Sequence, residues 1–185
     1  MSDLPALHPL QPHAALPALA GLKLAAGFTW QTDGGLRLHY RLQGALDGLR
    51  LPPPARPEQT DGLWQHTCCE AFITEGAGSA YHEFNLAPSG AWAAYRFTDY
   101  RQRDTAWQPA AAPHISCRRD EDSLWLVADL PAPLLPAAPA TASRLGLTAV
   151  IESRAGERSY WALQHAAPQA DFHLSASFTL PLNRP

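Results

Sequence analysis

The stretch of sequence that decides the fold class is residues 81–97, YHEFNLAPSGAWAAYRF. Apolar and polar residues alternate with a period of two on both sides of Pro88-Ser89-Gly90, and such alternation is typical of half-buried β-strands. A Pro-Ser-Gly sequence between two alternating runs indicates a tight turn. The stretch therefore predicts a β-hairpin.

A two-residue turn at Ser89-Gly90 predicts that Glu83 faces Arg96 and that Phe84 faces Tyr95 across the hairpin. The face expected in the core carries His82, Phe84, Leu86, Ala93, Tyr95 and Phe97. The opposite face carries Tyr81, Glu83, Asn85, Trp92 and Arg96. This second face is too polar for a core and too aromatic for an ordinary surface, which favours a ligand site. In the alternative, Glu83 and Arg96 form a structural pair and Trp92 merely covers the sheet.

The same alternation recurs along the chain, most clearly in Leu36–Leu42. Further strand candidates are residues 67–74, 81–87, 91–98, 115–118, 124–130, 145–152, 160–164 and 178–182. Eighteen prolines argue against long helices, and only a short helix is expected, near Leu134–Ser143. Short strands at this spacing predict an all-β antiparallel sandwich or barrel, with residues 1–185 as a single domain.

Composition narrows the possible partners and the compartment. The formal net charge is −3 and the pI is near 6.2, so electrostatics gives no reason to expect nucleic acid or an anionic membrane as a partner. Residues 1–10 lack the pattern of a signal peptide, and no stretch is long and apolar enough to span a membrane. Three cysteines, an odd number, argue against a disulfide framework. We therefore expect a cytoplasmic protein with reduced thiols; its oligomeric state is not predicted.

The segment LWQHTCCEAFI, residues 63–73, places a carboxylate in the middle of a predicted strand. One face of this strand carries His66, Cys68, Glu70 and Phe72, and the other carries Thr67, Cys69, Ala71 and Ile73. A buried carboxylate is unfavourable unless it meets water, a donor or a ligand. We therefore expect Glu70 to face the same concave surface as Glu83 and Arg96.

Taken in order, LWQHTCCEAFI, YHEFNLAPSGAWAAYRF, SYWALQH and DFHLSASFTLPL resemble the bacterial DOMON-like proteins related to family 9 carbohydrate-binding modules. The resemblance covers nearly the whole chain. It implies a jelly-roll-like β-sandwich with one ligand site on the concave sheet. It also implies a saccharide held between two aromatic walls, with carboxylate, amide and guanidinium groups on its hydroxyls.

Carried onto this sequence, the resemblance implies six ligand-binding residues. Trp64, six residues before Glu70, matches one aromatic wall, and Trp161 is the candidate for the second. The polar set is Glu70, Glu83, Asn85 and Arg96. No catalytic residue, metal ligand or cofactor is predicted. The function expected is non-catalytic binding of a saccharide or a sugar-containing metabolite.

Two alternatives stay open at this stage. Glu70 and Glu83 are the two carboxylates that a glycoside hydrolase or a related isomerase would need. DOMON relatives also include haem-binding domains, often with a Met–His axial pair, but the only methionine here is Met1. A bis-histidine haem would have to draw on His66, His82, His165 or His173. Zinc is disfavoured, because adjacent Cys68 and Cys69 point to opposite faces of their strand.

Overall fold

The computed structural model describes residues 5–16, 18–137 and 143–183. These residues form β-strands and short 3-10 helices, with no α-helix among them. The strands are β1 (His8–Pro12), β2 (Lys23–Trp30), β3 (Leu36–Gln43), β4 (Cys68–Thr74), β5 (Tyr81–Leu86), β6 (Trp92–Asp99), β7 (Gln102–Arg103), β8 (His114–Arg119), β9 (Ser123–Leu130), β10 (Arg144–Glu152), β11 (Arg158–Ala162) and β12 (Leu180–Pro181). The predicted all-β class is confirmed.

The 3-10 helices span Leu46–Gly48, Leu63–Gln65, Ala132–Leu134 and Ser175–Ser177. The third of these lies at the start of the region where the sequence predicted a short helix, Leu134–Ser143. Residues 138–142 of that prediction lie outside the described residues.

The strands form an antiparallel β-sandwich in which β1 connects two sheets. His8, Pro9 and Leu10 of β1 pair with β2, whereas Gln11 and Pro12 pair with β11. The first sheet has the order β1-β2-β3-β9-β8, and the second has the order β7-β6-β5-β4-β10-β11-β1, with β12 beside β10. Every paired strand is antiparallel, as predicted.

The main hydrophobic core lies between the sheets, because alternate residues of each strand point inward. The first sheet contributes the leucines at alternate positions of β3 and β9, and the second contributes Ala71, Ile73 and Leu147. The hydroxyl of Tyr40, on β3, donates a 2.6 Å hydrogen bond to the backbone carbonyl of Glu70, on β4. The strand that carries Glu70 is thereby tied to the opposite sheet.

A second apolar cluster lies on the outer face of the second sheet, where the C-terminal segment, residues 163–183, crosses the strands. Phe178 of this segment stacks on Phe72, with ring centroids 5.5 Å apart. Its ring also lies against Gly146, where an added β-carbon would be 2.6 Å from Cδ1 of Phe178. The C-terminal segment therefore packs closely on the sheet and covers part of its outer face.

The central hairpin differs from its predicted register. Leu86 pairs with Trp92, Glu83 pairs with Tyr95, and His82 pairs with Arg96. The connection is a three-residue loop, Pro88–Gly90, closed by a 2.9 Å bond from the Ala87 N–H to the Ala91 carbonyl. Gly90 has a φ of 96°, the left-handed conformation typical of the last residue in such a loop.

The extra loop residue shifts β6 by one position and exchanges its two faces. The predicted pairs Glu83–Arg96 and Phe84–Tyr95 are therefore wrong. Phe84 and Leu86 lie in the core between the sheets, as predicted for β5. Ala93, Tyr95 and Phe97, which were predicted in that core, lie in the outer cluster, and Trp92 lies in the core instead.

Candidate ligand-binding site

A cavity of about 350 Å³ opens on the outer face of the second sheet. Its floor is formed by β4, β5, β6 and β10, and its sides by β11, the 3-10 helix Leu63–Gln65, the β6–β7 turn and the C-terminal segment. The aromatic side chains that line it are Trp64, Tyr95, Phe97, Tyr160 and Phe172. The polar side chains are Glu70, Glu83, Arg101, Arg103 and His173.

Two carboxylates lie side by side at the base of the cavity. Glu70 is opposite Asn85 in the β4–β5 pairing, so Glu70 and Glu83 are diagonal neighbours on one face. Glu70 is 2% exposed, and its buried Oε1 has no hydrogen-bond partner among the described residues. Glu83 is 5% exposed and accepts a 2.7 Å hydrogen bond from the side-chain amide of Asn85.

Burial changes the acidity of both groups. Desolvation, together with repulsion from Glu83, raises the pKa of Glu70 well above its ordinary value. Desolvation raises the pKa of Glu83 to about 7, against the opposing effects of the Asn85 hydrogen bond and of Arg101 and Arg103. The base of the cavity thus holds two acidic groups whose ionised forms are both unfavourable there.

Trp64 forms an exposed aromatic wall. It lies in the 3-10 helix that precedes β4, and 45% of its surface is accessible. A tryptophan side chain this exposed contributes less to the free energy of folding than a buried one. Its flat face beside a cavity is suited to stacking on a ligand. Tyr160, on β11, lines the same cavity and is half-buried.

Each of the two arginines at the rim of the cavity contacts an acidic side chain that is not part of the cavity floor. The Arg103 guanidinium lies 4.1 Å from the ring centroid of Tyr95, and one nitrogen is 3.8 Å from Asp61. Asp61 also accepts a 2.6 Å hydrogen bond from the Tyr95 hydroxyl. Arg101 donates to Asp171 of the C-terminal segment at 2.9 Å.

Arg101 has a φ of 53°, an uncommon conformation for a side-chain-bearing residue. Its backbone N–H donates to the Tyr81 hydroxyl at 3.2 Å, which helps to hold this turn. The same hydroxyl is 2.7 Å from Nδ1 of His173. Burial lowers the pKa of His173 to about 4, so the imidazole is neutral at pH 7, and its Nε2 lies 3.7 Å from Glu83. The β6–β7 turn and the C-terminal segment are therefore joined above Glu83.

The cavity contains three of the six predicted ligand-binding residues, namely Trp64, Glu70 and Glu83. Asn85 is fully buried beside the cavity and contacts it only through its bond to Glu83.

Arg96 lies on the opposite face of the second sheet, because β6 has the register described above. Its Nε and Nη2 donate to Glu75 at 2.6 and 3.0 Å, and its Nη1 donates to Asp104 at 2.8 Å. Oε1 of Glu75 also accepts a 2.8 Å hydrogen bond from Nε2 of His82. The prediction that Arg96 shares a site with Glu83 is wrong, and its observed role is in this separate polar network.

Trp161 is also placed elsewhere. It is 3% exposed in the core between the sheets, and its indole N–H donates to Ser159 at 2.9 Å. Its neighbour Tyr160 points to the outer face with Val150, its partner across β10–β11. The aromatic residue of β11 that lines the cavity is thus Tyr160, one position before the predicted Trp161.

Several cavity residues were missed from the sequence. A three-residue loop in the hairpin would have placed Tyr95 and Phe97 on the same face as Glu83, and Pro88–Gly90 is compatible with such a loop. Arg101 comes from the β6–β7 turn, Arg103 from the two-residue strand β7, and Phe172 and His173 from the irregular C-terminal segment. Strand periodicity carries no signal for residues of this kind.

Neither the haem nor the metal alternative gains support from the placement of side chains. Of the four histidines considered for haem, only His173 lines the cavity. Within residues 5–16, 18–137 and 143–183, no group of three or more His, Cys, Asp or Glu side chains is arranged to hold a metal ion. In the same part of the chain, no helix has the length and apolar character needed to cross a membrane.

No protein-family model matches the chain, and no curated protein matches it in sequence. Among solved structures, the fold is similar to that of a candidate carbohydrate-binding protein from Bacteroides uniformis. The TM-score is 0.70, with 16% sequence identity over 96% of this chain and 86% of that chain. A family 9 carbohydrate-binding module from Caldicellulosiruptor kristjanssonii, in complex with cellotriose, has a TM-score of 0.54 and 11% identity over 86% and 72% of the two chains. These similarities concern the fold; the resemblance to DOMON-like proteins stays a prediction.

Proposed function

We propose that this protein is a non-catalytic module that binds a saccharide in the cavity on the outer face of its second sheet. The observation that carries the proposal is the buried, unpartnered Oε1 of Glu70 at the base of a cavity whose wall includes the exposed Trp64. A pyranose ring has an apolar face and a polar rim. An aromatic side chain packs on the first, and a carboxylate accepts hydrogen bonds from the second.

The size of the cavity and the structural neighbours support the same class of ligand. About 350 Å³ is near the lower end of the range for small-molecule sites, which favours a mono- or disaccharide. The two similar structures named above are a carbohydrate-binding candidate and a family 9 carbohydrate-binding module in complex with cellotriose. We expect an affinity in the micromolar to millimolar range, because few ligand atoms are engaged.

The arrangement of the carboxylates favours binding over hydrolysis. Glycoside hydrolases place their two carboxyl groups on either side of the scissile bond. Glu70 and Glu83 are instead diagonal neighbours on one sheet face, so both approach a ligand from the same side. A hydrolase or isomerase is therefore the less favoured alternative, and turnover of a glycoside panel would reveal it.

The proposal includes a reducing, cytoplasmic setting. It is supported by the free thiols of Cys68, Cys69 and Cys117. Secretion followed by disulfide formation would contradict this part of the proposal without affecting the binding site.

The test is isothermal calorimetry with a panel of mono- and disaccharides, on the wild type and on Trp64→Ala. We expect Trp64→Ala to weaken binding roughly tenfold or more, because a stacking wall is lost. Its melting temperature should change little, since the side chain is exposed. The matched control is Trp125→Ala, on the outer face of the first sheet beside Arg41, which should leave affinity unchanged. Failure of every saccharide to bind, or equal binding by Trp64→Ala, would refute the proposal.

A further inference from the structure

The charges around the cavity do not balance. Arg101 is paired with Asp171, and Arg103 lies beside Asp61. Each cation at the rim thus has its own acidic partner. Glu70 and Glu83 are left over at the base, and among the described residues no arginine or lysine forms an ion pair with either of them.

Glu70 is the more isolated of the two carboxylates. Glu83 has the Asn85 amide and the longer-range attraction of Arg101 and Arg103. The charged group that acts on Glu70 is another carboxylate, Glu83. The Thr148 hydroxyl, across the β4–β10 pairing, partly offsets the rise in the pKa of Glu70, but neither that hydroxyl nor Oε1 of Glu70 has a hydrogen-bond partner among the described residues. A buried charge in such a position is stabilised by a proton or by a cation that a ligand brings.

The side chains around Glu70 and Glu83 determine which kind of cation can bind there. Calcium takes six to eight oxygen ligands, whereas here two carboxylates are surrounded mainly by aromatic rings. An ammonium group has three N–H donors and is also attracted to the faces of aromatic rings. The combination of Glu70 and Glu83 with the rings of Trp64 and Tyr160 is therefore suited to an organic ammonium group.

We infer that the saccharide bound in this cavity is an amino sugar whose ammonium group pairs with Glu70. The inference rests on the proposed function and narrows its ligand class. The sugar ring packs on the aromatic wall at Trp64, and the ammonium group donates to the Glu70 carboxylate at the base. The ammonium group of the ligand then takes the place of the proton that stabilises the buried carboxyl group in the empty cavity.

The experiment compares amino sugars with their neutral counterparts by calorimetry at pH 7. The probes are D-glucosamine, D-galactosamine and D-mannosamine, each with its parent hexose and its N-acetyl derivative. In the series that binds, we expect the free amine to bind at least about tenfold tighter than both neutral forms, because charge-assisted hydrogen bonds are the stronger ones. The preference should shrink as salt is raised.

A charge-removing variant tests the assigned partner. Glu70→Gln keeps the size of the side chain and should abolish the preference for the amine while the parent hexose still binds. Glu121→Gln removes an exposed charge in the β8–β9 turn and should keep the preference. If Glu70→Gln folds poorly, the comparison of amino sugars with neutral sugars on the wild-type protein still tests the inference.

The outcomes separate the inference from the proposed function. If a parent hexose binds as tightly as its amine, or if Glu70→Gln keeps the preference, the inference is overturned and saccharide binding stands. If no sugar in any series binds, the proposed function fails and the inference fails with it.

Discussion

The two buried carboxyl groups, Glu70 and Glu83, make the stability of the protein depend on pH. Their pKa values are raised on folding, so the folded chain holds protons more tightly than the unfolded chain. The stability that results is fully present below the ordinary carboxyl value of 4.5, and it is lost as pH rises through the pKa of Glu83, about 7.

Glu83 should therefore lower the stability of the empty protein by about 1 kcal/mol between pH 6.5 and 8, which corresponds to roughly 2–4 °C in melting temperature. The lowered pKa values of His39, His82, His165 and His173 act in the opposite sense over the lower part of this window, because the unfolded chain still binds protons near the ordinary histidine value of 6.5. The effect of Glu83 is therefore the difference between the wild type and Glu83→Gln, measured by differential scanning calorimetry at constant ionic strength. The wild type should lose roughly 2–4 °C relative to Glu83→Gln across the window, whereas the exposed Glu121→Gln should follow the wild type. Parallel curves for the wild type and Glu83→Gln would contradict this account.

Arg96 has a structural role that can be measured separately from binding. Arg96→Ala leaves Glu75 and Asp104 without their shared guanidinium, so we expect the melting temperature to fall by roughly 2–6 °C. Ligand affinity should be unchanged, because this network lies on the other face of the sheet. Thermal melts and calorimetry on one preparation give both readouts. If Arg96→Ala kept the stability of the wild type but lost ligand binding, Arg96 would belong to the binding site after all.

The face of the sheet on which a single residue lies could be predicted where its neighbours in the strand left no doubt about which face is buried. Glu70 lies on the same face as Glu83, as predicted, because Cys69, Ala71 and Ile73 beside it are uniformly small or apolar; Arg96, expected on that face too, is not there. Trp161 was misplaced because β11 offers two adjacent aromatic residues, and an aromatic residue satisfies either a core or a ligand wall. Only the pairing of Tyr160 with Val150 decides between them.

At the level of elements, the C-terminal segment is fixed by the close approach of Phe178 to Gly146. Gly146→Ala would place a methyl group 2.6 Å from the Phe178 ring, so the segment must shift. We expect a loss of about 1–3 kcal/mol in the free energy of unfolding. We also expect weaker ligand binding, because the same segment carries Phe172 and His173. Chemical denaturation and calorimetry test both effects.

The matched control for that change is Gly78→Ala. A β-carbon at Gly78 would meet only the Glu75 carbonyl at 3.7 Å, an ordinary contact. Gly78→Ala should therefore leave stability and affinity close to those of the wild type. If Gly146→Ala behaved like this control, the C-terminal segment would not be held as the structure indicates.

The central hairpin shows why elements are easier to predict than their register. Alternation located β5 and β6 to within a residue, since the period of a strand is visible in the sequence. The loop length was the missing quantity: Pro88-Ser89-Gly90 is compatible with two-residue and three-residue connections. One residue of difference moved Arg96 out of the site and brought Tyr95 and Phe97 into it.

For the molecule as a whole, the sandwich divides the cysteines into two classes. Cys68 and Cys69 are buried on β4, whereas Cys117 is exposed on the edge strand β8. Burial also raises the pKa of the Cys68 and Cys69 thiols well above the usual range, which makes them unreactive.

Burial raises the pKa of the Cys117 thiol as well, so its exposure is what distinguishes it. A thiol reagent such as dithionitrobenzoate should therefore modify one cysteine first in the native protein, and all three after denaturation. The slow reaction of the other two should follow opening of the sandwich and accelerate with denaturant. Cys117→Ser is the control and should remove the fast phase alone. Fast modification of all three in native buffer would mean that β4 is not in the core.

The fold class was predictable because many weak signals agreed: short alternating runs, abundant proline and regular turn spacing all favoured an antiparallel sandwich or barrel, and the family resemblance favoured the sandwich. The cavity was less predictable, because it is assembled from distant parts of the chain. Glu70 and Glu83 come from neighbouring strands, whereas Arg101 and His173 come from a turn and from the C-terminal segment. Only the tertiary packing brings these residues together.

The unpartnered oxygen of Glu70 has a consequence for laboratory evolution. Two buried carboxylates that repel each other make the empty protein less stable than a variant with a neutral side chain at either position. A selection for heat resistance alone should therefore enrich substitutions at Glu70 and Glu83, and the surviving variants should have lost the proposed binding site. Thermostable descendants that still bind their ligand should be sought by holding these two positions fixed and diversifying the first sheet.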